Sequence, residues 1–97
     1  MPSFRVTLVV GALRAGVAPS AVLPAATSAG RELTTVEASD VAVVSGEARL
    51  TVRFTADDAE IAAQVADHIA AVTSQSAEIL GIQITERRKT AWLDIRW

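Results

Sequence analysis

The chain has 97 residues, 51% of them apolar, a formal net charge of −2 and no cysteine. That length makes one domain, 1–97, large enough to bury a real core. The absent thiols exclude disulfides, thiolate metal centres and cysteine nucleophiles, and the mild charge argues against a general polyanion binder.

Phe4 to Val10 alternates, with Phe4, Val6, Leu8 and Val10 on one face and Arg5, Thr7 and Val9 on the other, which is strand period. The glycine-bearing stretch from Gly11 to Ser20 then leads into a helix expected over 19–31. Val22, Ala26, Ala29 and Leu33 share one face of it. Pro19 suits the first turn or Ser20 the cap; Pro24 requires a late start or a kink; Gly30 would close the helix. Two strands follow, 34–44 and 47–55, joined by Ser45-Gly46, a pair suited to a tight hairpin. In the second, Ala48, Leu50, Val52 and Phe54 point inward and Arg49, Thr51 and Arg53 outward.

The next helix is expected over 57–73, with Ile61, Val65, Ile69 and Val72 as its apolar stripe. Thr55 with Asp58, or Asp57 with Glu60, has capping-box spacing, and acids in the first turn suit the helix dipole. A strand over 80–87 carries Ile82 and Ile84 on one face. Thr90 to Arg96 alternates again and is either a fifth strand or a continuation of the fourth. The order is β-α-β-β-α-β: an α+β, ferredoxin-like βαββαβ sandwich, an antiparallel sheet with two helices on one face and an optional extra C-terminal strand.

The chemistry on offer is sparse. No segment has the length and apolarity of a membrane span, and the N-terminus enters a strand without the apolar region of a signal peptide, so a cytoplasmic home is expected. His68 is the one histidine, which excludes a His-rich metal site; at the edge of a helix stripe it reads as a half-buried structural residue. Asp57, Asp58 and Glu60 could hold a hard cation, but helix capping accounts for them. No nucleophile elbow and no phosphate loop is present. No catalytic residue, metal or cofactor is therefore assigned.

Two fold analogies supply alternatives. Acylphosphatases are similar in size and order and use an arginine after the first strand, where Arg14 stands. They also need an asparagine, and this chain has none. RNA-recognition motifs show aromatics on the third strand, where this chain has Arg49, Thr51 and Arg53. An anion-handling enzyme and a nucleic-acid-binding module thus stand as the rival classes.

The run Arg14-Ala15-Gly16-Val17 within LRAGVAPSAVLPAATSAG resembles the first loop and helix of ACT domains. GEARLTVRFTADDAEIAAQVADHIAAV resembles their third strand and second helix, so the likeness spans 4–86. The resemblance implies a non-enzymatic, ligand-sensing or assembly module that pairs side by side. It implies a homodimer with a small anionic or amino-acid ligand near the first loop. Gly11, Arg14, Gly16 and Ser20 are the candidate ligand residues, because glycines admit close backbone approach and an arginine adds a charged donor. The tail is the candidate interface through Arg88, Trp92 and Trp97, residue types enriched where proteins meet.

Overall fold

The computed structural model describes residues 1–95. One antiparallel sheet holds all five strands: β1 (Ser3–Leu13), β2 (Val36–Val44), β3 (Glu47–Thr55), β4 (Ala77–Arg88) and β5 (Ala91–Ile95). Their order across the sheet is β2-β3-β1-β4-β5. Two helices, α1 (Val22–Leu33) and α2 (Ala59–Thr73), interrupt the strands, with a short 3-10 turn, Pro19–Ala21, ahead of α1. This corrects the expected ferredoxin-like βαββαβ sandwich, which has four strands. Here β5 pairs in full with β4, from Ile84 opposite Ile95 to Arg88 opposite Ala91. Lys89 makes the separation by turning through a positive φ of 57°.

The alternation seen in the sequence sets the two faces. Phe4, Val6 and Leu8 of β1 and Val52 and Phe54 of β3 are all but fully buried, while the odd-numbered residues between them are half-exposed. The helices cover the buried face, with α1 against β2 and β3 and α2 against β1 and β4. The Phe4 and Phe54 rings, cross-strand partners, lie 6.1 Å apart at its centre. Each such large side chain stabilises the fold by roughly 1.5–3 kcal/mol through burial.

Several boundaries move for local reasons. β1 runs on to Leu13, so Gly11 is a strand residue, and two register shifts against β4 bend the strand there. Pro24 is third in α1, where a missing N–H costs no hydrogen bond, so the helix starts late rather than kinking. Ala21 stands at the N-cap of α1, and no side chain among the described residues caps it. Gly30 is an interior helix residue and not the terminal cap, because α1 continues to Leu33. A Cβ there would sit 2.9 Å from Val36 Cγ2, so glycine sets how closely α1 approaches β2. α2 is capped by Asp58, whose Oδ1 accepts from the Ile61 N–H at 2.9 Å. Ile61, expected in the apolar stripe, is exposed. Ser45 and Gly46 take φ of 53° and 79°, the left-handed pair that a tight hairpin turn requires. No helix among the described residues is long and apolar enough to cross a membrane.

Candidate functional site on the open sheet face

The helices leave one sheet face bare, and strand register decides what stands on it. Arg5 is opposite Arg53 on β3 and opposite Thr85 on β4; Thr85 is opposite Asp94 on β5. One row over, Thr7 is opposite Thr51 and Gln83. Arg87 is opposite Trp92, so Trp92 shares the face with Arg5 although two strand spacings separate β5 from β1. The indole spans that gap. Its ring centre lies 3.7 Å from Arg5 Cζ and 5.2 Å from Arg53 Cζ. Both guanidinium groups are within range of the ring's electrostatic attraction.

Two like charges directly opposite each other repel. The arrangement relieves that repulsion at Arg53 only. Arg53 Nε donates to Glu37 Oε1 at 3.1 Å, and Ser3 Oγ donates to the same oxygen at 2.7 Å. Among the described residues Arg5 has no comparable partner: its Nε is shielded from solvent and meets no acceptor there. Burial, then the charges of Arg53 and Arg87, lower the pKa of Arg5 from its ordinary value. The neighbourhood thus disfavours the charge that Arg5 carries.

Beside this pair lies an open groove of about 300 Å³, lined by Arg5, Ser39, Asp40, Thr51, Arg53 and Trp92. One end is cationic. The other offers hydroxyls and a carboxylate, with one Asp40 oxygen accepting from the Val41 N–H at 2.8 Å. Such a groove can hold an anion at the guanidinium end and a polar, uncharged body along the rest.

The residues expected from sequence lie elsewhere. Arg14 ties the first turn to the segment after α2: its N–H donates to Ser76 O at 2.8 Å and its Nε to Ser74 O at 3.1 Å. Gly16 turns the chain with a φ of 80° in open space. Gly11 and Ser20 line a separate apolar groove of about 450 Å³ with Leu13, Val22, Val41 and Leu50. Arg14 and Gly16 are not part of that groove's wall. At the tail, Arg88 pairs with Glu86 at 3.0 Å, one position off the register that carries Arg87 and Trp92. Trp97 lies outside the described residues. His68 Nε2 is 3.7 Å from Glu32 Oε1, a contact between the two helices.

Arg5 was not among the candidate residues expected from the sequence. Its signal was its place on the same outward parity as Arg49, Thr51 and Arg53. No family model matches the chain, and neither a curated protein nor a solved structure matches it.

Proposed function

We propose that the chain is a small non-enzymatic binding module whose open sheet face holds an anion between Arg5 and Arg53. The observation that carries this reading is the Arg5 guanidinium, set opposite a like charge and without an acceptor for its Nε among the described residues. A phosphate or carboxylate placed there would accept hydrogen bonds from both side chains and offset their repulsion. The test is calorimetric titration with inorganic phosphate and with pyrophosphate at low salt. Saturable binding that Arg5→Thr abolishes supports the reading. Binding unchanged in Arg5→Thr contradicts it.

A second reading follows from the apolar groove between Leu13, Val22, Val41 and Leu50. Among the described residues strand β2 has no neighbour on its outer side, and Val41 and Val43 on it are exposed. A second copy added along β2 would cover these residues and complete a ligand pocket near the first turn, as the ACT-like resemblance implies. Sedimentation velocity of the chain and of Val43→Glu tests it: a dimer that the charge splits supports pairing, and a monomer at all concentrations contradicts it.

A further inference from the structure

We infer that the anion is the phosphate of a nucleotide whose base lies along Trp92, an inference that rests on the open-face reading above. Among the described residues that line the groove, the cations stand at one end. Arg5 and Arg53 supply the donors there, and Glu37 is bonded to Arg53 and not to Arg5. Away from that end the lining turns neutral or acidic, through Thr51, Ser39 and Asp40. A carboxylate at that position repels a second anionic group and accepts hydrogen bonds from hydroxyl or amino groups. The ligand that matches has a phosphate at one end and a body of hydroxyl and amino donors.

Trp92 adds the third requirement. It is a half-exposed indole, held against Arg5 at 3.7 Å, in a groove whose other described lining residues are charged, polar or small. A flat aromatic group stacks on such a ring regardless of its sequence identity, and an aliphatic one gains less. A phosphate, a hydroxyl-bearing linker and a flat base are the parts of a nucleotide. The groove of about 300 Å³ is at the small end of ligand sites, which suits a single unit. It is open, so that unit can be a free nucleotide or one residue of a single strand.

The test uses the Trp97→Phe chain, in which Trp92 is the remaining tryptophan, and follows its fluorescence. The probes are inorganic phosphate, ribose 5-phosphate, adenosine 5′-monophosphate and a short oligothymidylate. The expected result is quenching by the mononucleotide and binding about ten-fold tighter than ribose 5-phosphate, the increment one stacked base supplies. Trp92→Leu, followed by calorimetry, then reduces the mononucleotide to the affinity of ribose 5-phosphate while inorganic phosphate still binds. Circular dichroism of each variant establishes that it is folded, and Arg5→Lys serves as the charge-retaining control. If the oligonucleotide binds more tightly than the mononucleotide, with a steeper salt dependence, the source is a single strand; equal affinity per site makes it the free nucleotide. Equal binding of ribose 5-phosphate and the mononucleotide, without quenching, overturns the nucleotide inference and leaves the anion reading intact. No binding of any probe overturns both.

Discussion

Arg5 and Arg53 face each other across the β1–β3 pair, and the Trp92 ring lies 3.7 Å from the first and 5.2 Å from the second. The ring attracts both guanidinium groups, while their charges repel each other. A bound anion removes the repulsion, so it must stabilise the fold. Phosphate at about ten times its dissociation constant adds about 1.4 kcal/mol by mass action. For a domain of this size that raises the thermal midpoint by several degrees. Chloride at equal ionic strength is expected to raise it less, and Arg5→Thr to abolish the difference. Differential scanning calorimetry in matched salts reads this directly.

Glu37 links the site to pH. The hydrogen bond from Ser3 lowers its carboxyl below the ordinary value; partial burial works against that, and Arg53, then Arg87, lower it further. A depressed carboxylate pKa contributes stability that is present above the ordinary carboxylate range and lost as the pH falls through the depressed value. The stability difference between the chain and Glu37→Gln is therefore expected to hold steady at neutral pH and vanish in acid. Loss of the Glu37 charge also frees Arg53. Phosphate is expected to bind Glu37→Gln a few-fold more tightly at neutral pH, measured by titration at fixed ionic strength.

Gly30 sets the separation between α1 and the sheet. An alanine Cβ would lie 2.9 Å from Val36 Cγ2 and 3.3 Å from Ile69 Cδ1. Overpacking of this kind costs about 1–3 kcal/mol, against a helix-propensity gain of about 1 kcal/mol. Gly30→Ala is expected to be net destabilising in urea unfolding, without affecting anion binding on the opposite face.

Asp58 caps α2 through its bond to the Ile61 N–H. Asp58→Ala is expected to cost about 1 kcal/mol in the same unfolding experiment, and Asp58→Ser to recover most of it.

Much of this architecture was legible because one sheet face is buried. The alternation in β1 and β3 fixes which residues enter the core, and a one-residue slip would reverse it. Ser45-Gly46 marked the hairpin because its turn needs two left-handed residues. The fifth strand was not settled by sequence. Its turn uses Lys89 at positive φ, and neither glycine nor asparagine marks the place. Gly30 misled for the opposite reason: a glycine near a helix end resembles a cap, whereas here it answers to close packing. The site was half legible. Arg49, Thr51 and Arg53 were read as outward, but the partnership of Arg5 with Trp92 depends on β4 lying between β1 and β5, and strand order is not written in local periodicity.

The most direct test of the account is backbone and indole NMR during a titration with inorganic phosphate. Saturable shifts are expected at Arg5, Thr51, Arg53 and the Trp92 indole N–H, with Gly11, Arg14, Gly16 and Ser20 unmoved. Saturable shifts confined to those four residues, with the open face unmoved, would contradict it and return the site to the first turn.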